Sequence, residues 1–395
     1  MKSPWRVQLV VDGELEYFRE AMLGARRRAH EGGRVEFVDR WLPHEAGEDP
    51  RVLVRRDGVR GVVVAINDPV RESVFAGLGV PVVNISNTLL APRLPVVTQD
   101  DREVGRRAAE HLLGRGLRRF LFWGQGGARY SEERRAGFEE VLAGAGLGRG
   151  ALRHEAGVWS SAPRAADLAR MGAVLAGLER PAGAFAVMDA WALALLRAAR
   201  EAGWRVPEDL AVLGAGDDDF YVEFERTPLA SIRLPARQVG YEATALLERL
   251  IARGGRGEAS GFVALSGARV VARRSTETPL AGGGDELVAK AAGLLRERPG
   301  LRVAEVARAC GVARSGLQRR FLAALGHGLL AERRRLRLER AERLLACTNA
   351  KLATVAAEAG YPSAQRLSAD MRQVHECTPG EWRRRTGVLM ERGKK

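Results

Sequence analysis

From residue 6 to residue 275, short apolar runs alternate with longer stretches in which apolar side chains recur at helical spacing. VQLVV (7–11) is the first such run, and its length and β-branched content fit a buried parallel strand. A helix is predicted over 16–31. VEFVDRW, VRGVVVAI and VPVVNIS follow as strands, with helical stretches between them. After LPVVTQDD the spacing predicts a helix through EVGRRAAEHLLGRG, ended by Gly116. RRFLFWG is the next strand, and SEERRAGFEEVLAGAG a helix opened by Ser131, with Glu133 and Arg134 in its first turn. GAFAVMD and DLAVLGAGDDD read as strands that run into acidic loops, and VALSGARVVARRST closes the region. Repeated strand–helix units of this kind build parallel sheets covered by helices. The expected class is α/β, with enough chain for two lobes.

Beyond 275 the pattern changes. STETPLAGGGDE is rich in Gly, Thr and Pro and has little to bury, so 276–286 is expected to be a linker between a body of residues 1–275 and an all-helical region, 287–395. That region contains an internal echo. VAEVARACGVARSGLQRRF (303–321) recurs loosely as LATVAAEAGYPSAQRLSADM (352–371): an Ala-rich helix, a glycine, a short turn and a second helix. Aligning Gly311 with Gly360 leaves apolar positions on one face of each second helix. Two helix-turn-helix units are expected. Between them, HGLLAERRRLRLERAERLLA should bury Leu330, Leu338, Ala341, Leu344 and Leu345, with Arg333–Arg335 either facing the DNA backbone or simply solvated. TPGE (378–381) reads as a capping box with Pro379 at the first helical position and Trp382 buried behind it.

Charge sharpens this division. The chain carries +14, but residues 285–395 hold 23 Lys and Arg against 12 Asp and Glu, leaving 40 against 37 for everything else. A nearly neutral body thus carries a basic tail, which suits a polyanion partner. A helix-turn-helix offers its second helix to the major groove of double-stranded DNA. There Arg reads guanine, Gln reads adenine and small hydroxyls meet phosphate. The candidates are Arg314, Ser315, Gln318 and Arg319 in the first unit and Ser363, Gln365 and Arg366 in the second. The three cysteines, Cys310, Cys347 and Cys377, match no zinc spacing and suggest neither a metal nor a disulfide framework. No cofactor is expected. With no signal peptide and no apolar run long enough to span a bilayer, a cytoplasmic protein without membrane contact is expected.

The tail resembles the AraC/XylS family of DNA-binding domains over about its last 105 residues. The resemblance rests on the doubled unit, on RLRLERAERLL and on the ending GYPSAQRLSADMRQVHECTPGEWRR. Departures are Leu367 and Met371 where that family has Phe, and Ala313 where a Ser would cap the recognition helix.

In the body, Asp12, Asp100, Asp189 and Asp217 stand at the C-terminal ends of parallel strands, where open α/β sheets bind ligands. Carboxylate and guanidinium groups there suit the vicinal hydroxyls of a sugar. Asp101 and Asp189 fit helix N-caps as well. VVTQDDREVGRRAAEHLLGRG, ARYSEERRAGFEEVL, AVMDAWALALL, VPEDLAVLGAGDD and PLASIRLPARQVGYEA resemble the periplasmic-binding-protein-like domain of the LacI family. Here, however, an AraC-type domain follows instead of a helix-turn-helix at the N-terminus. This order is similar to that of the xylose-operon regulators. The resemblance implies that Arg134 and Asp189 contact a sugar, with Asp217, Asp100 and Tyr17 as further candidates and D-xylose or a related monosaccharide as effector. It also implies a homodimer that binds an operator and recruits RNA polymerase as an activator. Gly216 stands where the family has an acidic residue, Asp217 where the xylose sensors have Asn, and Met188 where they have a small polar residue.

Other readings are a repressor, a transport-type sugar-binding protein and an enzyme. The basic tail opposes transport. For catalysis the body lacks any cysteine, any G-x-S-x-G elbow and any metal-spaced His/Cys cluster, and GQGGARY (124–130) lacks the Lys-Ser/Thr of a phosphate loop. No enzymatic activity is expected.

Overall fold

The computed structural model describes residues 3–11, 13, 15–38, 49–157, 165–222, 226–254, 261–277, 286–325, 328–375 and 377–386. Asp12 and residues 278–285 of the linker lie outside them. The chain divides into two compact units, Met1–Leu113 with Leu117–Thr278, and Gly114–Gly116 with Pro279–Lys395.

In the first unit, five strands and three helices come first: β1 (Trp5–Val10), α1 (Glu16–Gly32), β2 (Val35–Phe37), α2 (Pro50–Arg56), β3 (Gly61–Val64), α3 (Pro69–Ala76), β4 (Val82–Asn84) and β5 (Val96–Gln99). After them come α4 (Asp101–Leu113), β6 (Phe120–Gln125), α5 (Arg129–Gly144), β7 (Leu152–Gly157), α6 (Ala165–Ala176), β8 (Ala182–Ala186), α7 (Asp189–Glu201), β9 (Leu210–Gly216), α8 (Asp219–Val222) and β10 (Ala230–Arg233). The unit closes with α9 (Ala236–Ala252), β11 (Phe262–Leu265) and β12 (Arg269–Val271). The strands form two sheets, ordered β11-β5-β4-β3-β1-β2 and β12-β10-β9-β8-β6-β7. Among the described residues every pairing is parallel except that of β10 with the edge strand β12. Each sheet is the floor of a lobe with its own apolar core, around Val63, Val83 and Leu247 in the first and Leu121, Trp123 and Leu195 in the second.

The chain passes between the sheets three times: from β5 into α4, from β10 into α9 and from β11 into β12. Two helix pairs hold the lobes in shape by backbone contact. A Cβ on Gly24 of α1 would stand 1.8 Å from the Arg237 carbonyl oxygen of α9. One on Gly105 of α4 would stand 1.8 Å from the Arg134 carbonyl oxygen, and one on Gly137 of α5 would stand 2.0 Å from that of Arg102. α4 and α5 therefore touch main chain to main chain, which sets the first turns of both helices side by side. Ser131, expected to open α5, lies inside its first turn; the helix starts at Arg129, and the Ser131 hydroxyl accepts the Gln125 amide instead.

The second unit contains α10 (Glu286–Glu297), α11 (Val303–Ala309), α12 (Arg314–Leu325), α13 (Leu329–Cys347), α14 (Leu352–Glu358), α15 (Ala364–His375) and α16 (Pro379–Thr386). Both glycine turns are left-handed, at φ 71° for Gly311 and 80° for Gly360. Among the described residues of this unit there are two small cores, and α13 belongs to both. Its Leu329 and Leu336 pack with Val306, Leu317 and Phe321, and its Leu338, Ala341 and Leu345 pack with Val355, Leu367, Met371 and Trp382. At about 100° per residue, Leu336 and Leu338 lie on opposite sides of the helix. The buried face therefore changes sides midway along α13, which is why Leu329 is buried where Leu330 was expected and Leu330 is 52% exposed.

The arginine run is bonded rather than merely solvated. Arg334 pairs with Asp370 of α15 at 3.3 Å, Arg335 with Glu332 and Glu339, and Arg337 donates to the Pro299 carbonyl at 2.7 Å. At the last helix Thr378 and Glu381 form the expected reciprocal cap, over a buried Trp382.

Gly105→Ala should cost the first unit at least about 1–3 kcal/mol, because α4 and α5 must part to admit a methyl group. Thermal melts that separate the two units' transitions would measure this, and an unchanged first-unit midpoint would contradict the close contact.

Candidate effector cleft and DNA-reading helices

The cleft between the lobes is built around a buried cation. Arg134, in the first turns of α5, is 3% exposed, and Asp101 at the start of α4 is 1% exposed. The Arg134 Nε donates to Asp101 Oδ1 at 2.8 Å, its second terminal nitrogen lies 2.7 Å from the same oxygen, and the first donates to the Val187 carbonyl. Asp101 also accepts from Asn87 at 2.7 Å and from Gln99 at 2.9 and 3.0 Å. Burial pushes the Asp101 carboxyl above its ordinary range, and the adjacent guanidinium opposes that shift. With its acceptor sites filled, Asp101 orients Arg134. A guanidinium has five N–H donors, so Arg134 keeps donors beyond those used here. Tyr130 lies beneath it, its ring centroid 5.0 Å from the guanidinium carbon, and the tyrosine hydroxyl donates to Gln125.

Sequence reasoning singled out the other half of the Asp doublet. Asp100 caps α4 through the Glu103 amide at 2.8 Å and meets Arg106 at 3.5 Å. Nothing in the sequence QDD separates the two; only the start of α4 at Asp101 does. Tyr17 lies in the first lobe with its hydroxyl 3.5 Å from the Ile85 carbonyl.

Asp189 opens α7 and faces into the second lobe. It accepts the Ser231 hydroxyl and, at 3.1 Å, the Asp218 amide. Burial pushes its carboxyl up to about 7, against the lowering effect of those bonds. Its oxygens fill the space beside β9: a Cβ on Gly214 would lie 2.2 Å from Oδ1, and one on Gly216, at φ 132°, would lie 2.9 Å from Oδ2. Gly216 thus leaves room for the carboxylate of Asp189. Asp217 turns the opposite way. It adopts φ 57° and is clamped between Arg233 and Arg273, with its side chain fully buried.

At the cleft mouth, helix ends meet across the lobes. Leu15 and Ala128, the residues before α1 and α5, offer no side-chain cap. The Glu16 amide of α1 donates instead to Asp218 Oδ2 at 3.0 Å, and the Asp219 amide of α8 donates to Glu16 Oε2 at 3.0 Å. The Arg129 and Tyr130 amides of α5 donate to the Thr88 and Asn87 carbonyls of the first lobe, both at 2.9 Å. Sequence reading found none of these bonds, because the partners lie far apart in the chain, some 40 residues for the two α5 amides and some 200 for the Glu16, Asp218 and Asp219 bonds.

On the helices expected to read DNA, Arg314, Ser315 and Arg319 lie exposed on α12, above a fully buried Leu317 and Phe321. Gln318 is half-buried, its amide nitrogen where a Cβ on Gly328 would be 2.0 Å away. Ser363 caps α15 through the Arg366 amide at 3.2 Å, while Gln365 and Arg366 are exposed. Arg366 also meets Asp370 at 3.5 Å. Leu367 and Met371 are fully buried, so the smaller residues still fill the second core.

Three outcomes follow from this geometry. Arg134→Ala leaves Asp101 buried without its cation and should cost about 3–5 kcal/mol, measurable by denaturant unfolding. Asp189 has a raised carboxyl in the fold and an ordinary one when unfolded, so its contribution to stability declines as pH rises from about 4 to about 7. Melting curves of Asp189→Asn should lack that decline. Arg314→Ala or Arg319→Ala should weaken DNA binding by about 1–3 kcal/mol wherever the side chain reads a base, and unchanged affinity in both would remove α12 from the groove.

Comparison with known proteins agrees with this architecture. Residues 109–276 match the model of a periplasmic binding protein-like domain, and residues 306–385 that of a helix-turn-helix domain. The xylose operon regulatory protein of Escherichia coli K12 is 29% identical over 337 residues, covering 82% of this chain and 83% of its own. A putative AraC-like transcription regulator of Streptomyces antibioticus is 39% identical over 107 residues, 27% of this chain and 35% of its own. A solved structure described as a xylose-binding transcription activator superposes with a TM-score of 0.57 at 24% identity, over 97% of this chain and 98% of that one. The chain is a transcriptional regulator homologous to the xylose operon regulatory proteins, with a periplasmic-binding-protein-like domain followed by an AraC-type helix-turn-helix domain.

Proposed function

We propose that the cleft binds a monosaccharide, D-xylose in the first instance, and that binding switches a cytoplasmic, homodimeric activator which recruits RNA polymerase at an operator. The observation that carries this reading is the Arg134 guanidinium, pinned flat by Asp101 and Val187 at the crossover between the lobes. A rigid donor fork with amide and phenol groups around it (Asn87, Gln99, Gln125 and Tyr130) suits neighbouring hydroxyls on a small ring. The curated relatives that align over most of this chain are named for a xylose operon. Asp189 and Asp217 serve the same site by holding the β9–α8 loop at the cleft mouth, and Tyr17, Asp100 and Asp12 complete the set of candidates. A sugar that contacts both lobes favours the closed state by its differential affinity for it. Arg314, Ser315, Gln318 and Arg319, with Ser363, Gln365 and Arg366, are proposed to read two successive stretches of operator DNA.

A thermal-shift screen of the full chain against D-xylose, other pentoses, hexoses and their phosphates tests the effector. A ligand present at about 100 times its Kd should stabilise by about 2.7 kcal/mol. D-xylose should do so, and a response to another sugar alone would reassign the effector. Silence toward every sugar would overturn the reading.

A further inference from the structure

Asp217 and Asp218 are adjacent, yet they reach in opposite directions. Asp218 reaches across the cleft mouth to the Glu16 amide of the first lobe. Asp217 reaches back into the second lobe, where Arg273 donates to its Oδ1 at 2.6 Å and to the Leu229 carbonyl at 3.0 Å. Arg273 stands at the root of the segment through which the chain leaves this unit. The next residues are pinned to the lobe one after another. The Ser275 amide donates to Pro228 at 3.0 Å, and the Ser275 hydroxyl bonds Val212 at 2.6 Å and Ala230 at 2.8 Å. Thr276 meets His111, near the end of α4, at 2.9 Å. The helix-turn-helix unit follows in sequence.

We propose that the Asp217–Arg273 ion pair is the coupling element between the cleft and the DNA-binding unit, with Arg273 as its positioning residue. This rests on the reading above that the state of the cleft governs DNA binding. The left-handed backbone at Asp217, at φ 57°, is the only positive φ outside glycine among the described residues. It lets consecutive carboxylates face opposite ways, at a cost that Asp and Asn bear better than other residues. The charge geometry adds a second reason. Asp217 is fully buried between Arg233, at the end of β10 where the chain crosses to α9, and Arg273, at the exit. Any displacement of the 217–218 loop therefore moves a carboxylate that two buried or half-buried cations follow. When the mouth opens, Asp218 loses the Glu16 amide, the loop is released and the hold on the exit segment loosens. When the mouth closes, the exit is fixed.

The Ser275, Thr276 and Glu277 amides, bonded to Pro228, Arg273 and Arg274, are natural reporters of this hold. Hydrogen exchange of the full chain reads them directly. Glu16→Pro loosens the hold of α1 on the 217–219 loop, leaving the Arg19–Asp218 pair at 3.8 Å: proline suits the first position of a helix, while the substitution removes both the amide bonded to Asp218 and the carboxylate bonded to Asp219. In the otherwise native chain it should raise exchange at 275–277 about tenfold, with β6 and β8 still protected. In Arg273→Gln these amides should exchange fast already, and adding Glu16→Pro should change nothing further. Asp217→Asn, which keeps the left-handed backbone, should behave likewise and replaces Arg273→Gln if that variant loses protection in β6 and β8. The proposal is overturned if Glu16→Pro loosens 217–219 and leaves 275–277 protected, or if 275–277 still respond in the folded Arg273 or Asp217 variant. No effector enters this measurement, so failure of sugar binding and failure of the coupling are told apart.

Discussion

The first amides of a helix must find acceptors, and in the first unit several find them in the opposite lobe. Neither Leu15 nor Ala128 can cap the helix that follows it. Asp218 and the carbonyls of Asn87 and Thr88 supply the acceptors instead, each from the other side of the cleft, and Glu16 in turn accepts the Asp219 amide of α8. A buried amide without an acceptor costs roughly as much as a lost hydrogen bond, so an open cleft is tolerated only because water can replace these partners. The contact between the lobes is thus made by backbone chemistry, and parting them would exchange each of these bonds for one to water.

Arg134 depends on a second constraint, the contact between α4 and α5. Gly105 and Gly137 let the two main chains touch, and that approach brings Asp101 within reach of the guanidinium. A buried cation is stable only when paired and hydrogen-bonded. The ion pair and the glycines are therefore one feature, since a methyl group on either glycine would move the carboxylate away from the charge it neutralises. The same logic explains Gly216, where a side chain would collide with Asp189.

The sequence was legible wherever a local rule decides the outcome. Alternating strand and helix periods read correctly as two parallel-dominated sheets, and the doubled Ala-rich helix, glycine and second helix read as two helix-turn-helix units. The TPGE cap could be read because its partners are three residues apart. Legibility ended where a partner is distant or a pattern changes sides. Asp100 and Asp101 look alike in the chain, and only the fold makes one a cap and the other a buried counter-ion. Ser131 has the chemistry of a cap but spends it on Gln125. The Asp217 clamp joins residues 16 and 56 positions apart. Leu330 was misjudged because one averaged face was assigned to a helix that buries opposite faces in its two halves.

That helix has a consequence of its own. Since α13 supplies one wall to each small core, neither reading head has a complete interior without it. The stabilities of the two units are therefore coupled through this shared helix. A substitution that displaces α13 is then expected to disturb both helix-turn-helix units together rather than one alone.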